Sequence, residues 1–134
     1  MNGTRQAGTG KVAEEFPREP ETARAARRLV ESALDSWGLT ALTDDAYLVI
    51  SELVANAVRH TKGPQITVSV DLIAEQRVRL GVADGSRAMP YLHRPRLGDL
   101  RGRGLPLVDA LSDQWGTDRL QWGKRVWAEL GGKR

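Results

Sequence analysis

The run Ser51-Glu52-Leu53-Val54-Ala55-Asn56-Ala57-Val58-Arg59-His60-Thr61 restricts this chain more than any other segment. It carries the 3.6-residue period of a helix. Ile50, Leu53 and Ala57, with Tyr47, Val54 and Val58 beside them, cover most of the cylinder. A helix this apolar needs a layer to pack against. It also bears a polar stripe: Glu52, Asn56 and His60 recur at intervals of four and lie one above the other, and Arg59 joins them three after Asn56. A carboxylate and an amide in the middle of such a helix are costly unless something binds them. Together the four side chains can hold a divalent metal, activate a hydroxyl and meet phosphate oxygens. The alternative is a solvated polar face on a core-packing helix, and the helix alone does not decide.

Around it the period changes. Pro20-Glu21-Thr22 opens a first helix that runs to about Trp37, with Gly38 as its stop. Thr43-Asp44-Asp45 is expected to cap the second helix, the one with the stripe, which ends before Lys62-Gly63-Pro64. Ile66, Val68, Val70 and Leu72 then alternate with polar residues, which predicts a half-buried strand. A turn at Ala74-Glu75-Gln76 leads to a second strand over Arg77–Ala83, its hairpin partner. The segment 86–101 holds Pro90, Pro95 and Gly98 and has no period, as expected of a functional or disordered loop. A helix over Leu105–Leu111 and strands around Gln114–Thr117 and Arg125–Leu130 close the chain. This order predicts an α+β fold, a two-layer sandwich with helices on one face of a mixed, mostly antiparallel sheet. One domain is expected over residues 16–131. Residues 1–15, polar and glycine-rich, are expected to form a disordered tail. Gly8-Thr9-Gly10-Lys11 lacks the spacing of a phosphate loop and has no strand before it.

Composition narrows the function classes. At 134 residues, 40% hydrophobic and 28% charged, the chain can bury a real core. It has no cysteine, which excludes disulfides, thiolate metal sites and cysteine nucleophiles and fits a reducing cytoplasm. His60 and His93 are far apart in sequence, which argues against a histidine metal site. No apolar run has membrane-spanning length and no hydrophobic leader is evident, so a cytoplasmic location without membrane contact is expected. The net charge of +3 and a pI near 9.7 permit acidic partners. The basic residues are dispersed and no aromatic-interleaved basic strand occurs, so direct nucleic-acid binding ranks as the weaker alternative.

Two further constellations carry chemistry. Val78, Leu80 and Val82 share one strand face, and Asp84 continues that row, so its carboxylate is aimed at the helix layer. Asp84-Gly85-Ser86 is otherwise a common turn-initiating sequence. Gly102-Arg103-Gly104-Leu105-Pro106-Leu107 enters a helix, where backbone N–H groups can turn toward an anion. It is not a dinucleotide fingerprint, because Leu107 stands where the third glycine belongs. Pro106 removes one N–H donor from the first turn.

Taken in order, these segments resemble the GHKL-type (histidine-kinase-like) ATPases and kinases. Glu52-x-x-x-Asn56-Ala57 looks like their N-box, and Ser51-Glu52-Leu53-Val54-x-Asn56-Ala57-Val58-Arg59-His60-Thr61 is similar to the actinobacterial anti-sigma-factor serine kinases. Asp84-Gly85-Ser86 with Pro90 resembles that branch too, and Gly123-Lys124-Arg125-Val126-Trp127 is similar to its closing strand, with Arg125 where threonine is frequent. The resemblance runs from about Phe16 to Leu130. It implies ATP and Mg²⁺ as cofactors. Asn56 is then the protein ligand to the metal, Glu52 the general base, and Asp84 the acceptor for the adenine amino group. Arg59, Arg101 and Arg103 face phosphate charge. His60 faces phosphate or ribose, or else ends the helix. Ser86, Gly102, Gly104 and Leu105 complete the nucleotide contacts, and 86–101 is a lid. The implied function is an anti-sigma factor with serine kinase activity toward an anti-anti-sigma antagonist. Its implied partners are a sigma factor and that anti-anti-sigma factor, with a homodimer possible. A non-catalytic ATP-binding regulator is the alternative. Arg24, Arg27 and Arg28 offer a partner face on the first helix, or a solvated basic face.

Overall fold

Both periods are realised, the period of two in a sheet and the period of 3.6 in helices laid on it. The computed structural model describes residues 10–61, 63–85 and 105–132. Along the chain come β1 (Lys11–Pro17), α1 (Thr22–Ser36), α2 (Thr43–His60), β2 (Gln65–Ala74), β3 (Arg77–Asp84), α3 (Leu105–Leu111), β4 (Gln114–Leu120) and β5 (Gly123–Leu130). The strands lie in the order β1-β2-β3-β5-β4, and each pairing is antiparallel. The expected α+β sandwich is therefore the fold.

Register explains the core. Val68 faces Val82 and Val70 faces Leu80 across β2 and β3, while Val78 faces Leu130 and Leu80 faces Ala128 across β3 and β5. These rows point to one side, where α1 adds Leu29, Val30 and Leu34, and α2 adds Val49, Ile50, Leu53 and Val54. Each fully buried Val, Leu or Ile contributes about 1.5–3 kcal/mol relative to exposure. Helix α2 lies centrally, packed against α1, α3, β3 and β5. Polar contacts set its azimuth as well. Arg27 Nη1 donates to Ser51 Oγ at 3.1 Å, and the Tyr47 hydroxyl donates to Glu31 Oε1 at 2.7 Å. Arg27 is thus a helix-to-helix tie, and only Arg24 and Arg28 remain as an exposed basic face.

Three expectations change. Residues 11–15 are not tail. They begin β1, which pairs with β2 from Lys11 opposite Asp71 to Pro17 opposite Gln65. Val12 and Phe16 face the helices, Val12 only 2% exposed, and the charged Lys11, Glu14 and Glu15 beside them suit an edge strand that must not recruit a second chain. Residues 1–9 lie outside the described residues. Thr43 is not a side-chain cap; a 3₁₀ turn over Thr40–Leu42 runs directly into α2, and Asp44 and Asp45 complement the helix field from its first turn. The last two strands are longer than expected and meet at a tight turn, Gln121-Trp122. Helix α1 stops as expected. Gly38, at φ +72°, allows Leu39 N–H to donate to Leu34 O at 2.8 Å and Gly38 N–H to Asp35 O at 3.1 Å, the six-to-one and five-to-two bonds of a Schellman end.

The other sheet face has no helix on it among the described residues and is organised by charge. Arg79 lies 4.4 Å over the Trp127 ring, and Glu129 accepts from Arg79 Nε at 2.9 Å, Arg77 Nη2 at 3.1 Å and Gln114 Nε2 at 3.0 Å. Burial alone would raise the Glu129 carboxyl. The hydrogen bonds from Gln114 and Arg79, with the charges of Arg79 and Arg77, outweigh it and hold that carboxyl below the usual range.

Candidate functional site

The stripe on α2 emerges at the margin of the helix layer. Leu53, Val54 and Ala57 are buried, Glu52, Asn56 and His60 half-buried, and Arg59 exposed. The end of this helix is fixed by residues outside it. Arg18 Nε donates to Gly63 O at 2.6 Å and its Nη1 to Val58 O at 3.0 Å, while Thr61 Oγ donates to Ala57 O at 2.7 Å. Val58 O lies in the last turn, where carbonyls lack a full set of intrahelical partners, and Ala57 O also accepts from Thr61 N–H at 3.1 Å.

Topology then brings Asp84 to the stripe. Only 61–64 separate α2 from β2, and Ile66, second in β2, stands opposite Asp84, last in β3. The C-terminal half of α2, with Asn56, Arg59 and His60, therefore lies at the same end of the sheet as Asp84. Glu52 is one helical turn earlier, about 6 Å along the axis. As the strand face predicts, Asp84 points into the core side, 2% exposed.

Asp84 does not stand alone there. Lys124, directly opposite it on β5 and 3% exposed, places Nζ 3.2 Å from Asp84 Oδ2 and 3.4 Å from Oδ1. Gly123 makes this possible. A Cβ at that position would sit 1.9 Å from Asp84 O, so only glycine lets the start of β5 lie this close to the end of β3. Sequence reasoning passed over Lys124, although a signal existed. Leu130, Ala128 and Val126 alternate backward to Lys124, so the lysine shares their inward face. Arg125, the residue singled out instead, lies on the opposite face. Its Cγ and Cδ pass over Gly81, and its Nη2 is 3.8 Å from Asp118 Oδ2. The departure at Arg125 therefore does not reach the site.

Ser86, Arg101, Gly102, Arg103 and Gly104, with the whole 86–101 loop, lie outside the described residues. Leu105 opens α3, and its side chain is outside the described ones too. Pro106 is exposed in the first turn of that helix. A groove of about 510 Å³ opens at the opposite pole, between Leu39, Leu42, Asp45, Gln76, Leu111 and Leu130; it holds none of the predicted site residues. Among the described residues no cluster of three or more His, Asp or Glu is arranged to hold a metal.

An inward carboxylate at a strand end, facing a helix that carries Glu-x-x-x-Asn over an antiparallel sheet, is a specific arrangement. The profile of the histidine kinase-like ATPase domain matches residues 16–129. The chain belongs to the histidine kinase-like ATPase family. The match takes in α1 through nearly all of β5. No curated protein matches this sequence. Seven solved chains do, among them the histidine kinase domain of the Erythrobacter litoralis EL346 blue-light activated histidine kinase, with a TM-score of 0.51 and 17% identity. That match covers 87% of this chain and 61% of that one, so this histidine kinase-like ATPase spans about three fifths of that chain's length. At such identity the likeness is one of fold. No helix among the described residues is long and apolar enough to cross a membrane.

Proposed function

We propose that this domain binds ATP with Mg²⁺ where Asp84 meets the C-terminal half of α2, and that it acts in the cytoplasm as a regulatory protein serine kinase. The observation that carries the reading is Asp84, a carboxylate held inward at the end of an apolar row, on the sheet face covered by the helix that carries Glu52 and Asn56. The residues fit the group. Mg²⁺ takes few protein oxygens beside phosphates and water, and the half-buried Asn56 amide is one such oxygen. ATP with Mg²⁺ supplies the transferable phosphoryl group when bound.

Each residue then has a task of its own. The Asp84 carboxylate accepts the amino N–H of adenine, and the apolar row ending at Val82 keeps water from that contact. The Asn56 amide oxygen ligates the metal. Arg59, with Arg101 and Arg103, sets positive charge toward phosphate. His60 orients the phosphate or ribose region, and Ser86, Gly102, Gly104 and Leu105 complete the nucleotide contacts. Glu52 accepts, at a carboxylate oxygen, the proton of the attacking serine hydroxyl. The partners that suit this chemistry are a sigma factor, held by the nucleotide-loaded domain, and an anti-anti-sigma antagonist that carries the acceptor serine.

The test combines binding and transfer. The wild type should bind ATP·Mg²⁺, and Asn56→Ala should weaken that binding by ~10–100-fold, the usual scale for a disturbed metal site. Nucleotide affinity indifferent both to EDTA and to this substitution would sink the assignment. Labelled phosphate should pass from ATP to an antagonist serine. Binding without transfer to any antagonist would make the domain a non-catalytic ATP-binding regulator.

A further inference from the structure

The inward row of β5 runs Leu130, Ala128, Val126 and then Lys124, and that of β3 runs Val78, Leu80, Val82 and then Asp84. Two apolar rows thus end side by side in one ammonium and one carboxylate, both within 3% of full burial. Nothing in the packing demands charge here. A buried ion pair is often no more stabilising than an apolar pair of similar volume, because both ions lose their hydration. Nor is the pair needed as a clasp between the strands, since Gly123 already brings the β5 backbone against Asp84 O. The outward face has its own charge network around Glu129. Lys124 is therefore an ion placed beside Asp84 at the end of the inward rows, where the proposed site lies.

We propose that Lys124 determines base specificity, its ammonium donating to the ring nitrogen beside the amino group of adenine while Asp84 accepts from that amino group. The inference rests on the ATP reading above and deepens it. Its physical basis is the order of donors and acceptors. An ammonium has three N–H groups and no acceptor, and among the described residues its hydrogen bonds go to one carboxylate alone. The pair therefore offers an acceptor next to a donor. The Watson–Crick edge of adenine offers the complement, an amino N–H next to the bare nitrogen N1. For a ring held in the same orientation by its ribose and phosphates, guanine sets O6 against the carboxylate and N1–H against the ammonium. Both contacts are then repulsive, and leaving such buried groups unmatched is what rejects the wrong base. Lys124 is a binding residue in this account and takes no part in transfer.

The experiment compares ATP with 1-deaza-ATP, in which N1 is replaced by C–H, by calorimetry with Mg²⁺ on the full chain. Wild type is expected to prefer ATP by ~10–100-fold, the size of one lost hydrogen bond to a charged group. Lys124→Met keeps the length of the stem and removes the donor; it should bind both nucleotides within about 2-fold of each other. Should loss of the ammonium beside Asp84 prevent folding, Lys124→Gln keeps an uncharged donor and should reduce the ratio to a few-fold. Equal affinity of the wild type for ATP and 1-deaza-ATP overturns the role of Lys124 while leaving the ATP site standing. Full discrimination by a folded Lys124→Met overturns it too, because another group then reads N1. A wild type that binds neither nucleotide overturns both readings.

Discussion

Glu52 and Asn56 lie four apart on one helical face, so a carboxylate accompanies the proposed metal ligand by construction. If Glu52 is the base, Glu52→Gln keeps shape and hydrogen-bonding capacity but cannot take the proton. Base catalysis acts in the transition state, so ATP affinity should hardly change. Single-turnover transfer to the antagonist should fall by ~10²–10⁴-fold. Equal transfer rates would remove Glu52 from catalysis. Glu129 permits a pH prediction of known sign. Its folded carboxyl is held below the usual range by Gln114, Arg79 and Arg77 against the opposing effect of burial. The stability it contributes is present above the ordinary glutamate pKa and is lost as pH falls through the folded value. Glu129→Gln should flatten the acid side of the stability profile below that ordinary value. Urea midpoints from neutral pH downward, wild type against variant, test this, and parallel profiles would count against it.

At the scale of elements, β1 is the part whose role changed most. It covers the edge of β2 and brings Val12 into the core. Removing residues 1–17 should cost roughly 2–4 kcal/mol in lost apolar burial. It should also leave β2 as an open edge that promotes association. The melting temperature should fall on the order of 10 °C, with light scattering rising on heating. A merely disordered tail would come away with no change in either. The same reasoning explains how α2 keeps its stripe in place: Arg18, just after β1, holds Val58 O in the last turn of the helix and Gly63 O just beyond it.

For the whole molecule, the two ends of the sheet have different characters. One end gathers Asp84, Lys124, the β4–β5 turn and the end of α2; the other holds the groove beside the start of α2. A ligand that binds only the folded domain stabilises it by mass action, about 2.7 kcal/mol at a hundredfold excess over its dissociation constant. ATP·Mg²⁺ should therefore raise the melting temperature in a dose-dependent way, and Asp84→Asn should reduce that shift. A dose-dependent rise of equal size with GTP·Mg²⁺ would show that Asp84 does not select the base.

What the sequence determined by itself is local. Spacing of four put Glu52, Asn56 and His60 on one face, and spacing of two sent Asp84 inward, because the backbone periods of helix and strand leave no other arrangement once an apolar row must be buried. The α+β class followed from the same periods. Tertiary structure decided what local periods cannot encode. The glutamates and Gly10 at the start hid β1, whose strand character depends on the waiting edge of β2. Lys124 has no visible partner until antiparallel register sets it opposite Asp84, and Arg18 reads as a loop charge until α2 ends beside it. Register and capping join residues tens of positions apart. They are settled by which buried polar groups find partners once the layers close, and so the inward face of Lys124 was legible in its alternation but its pairing with Asp84 only in the fold.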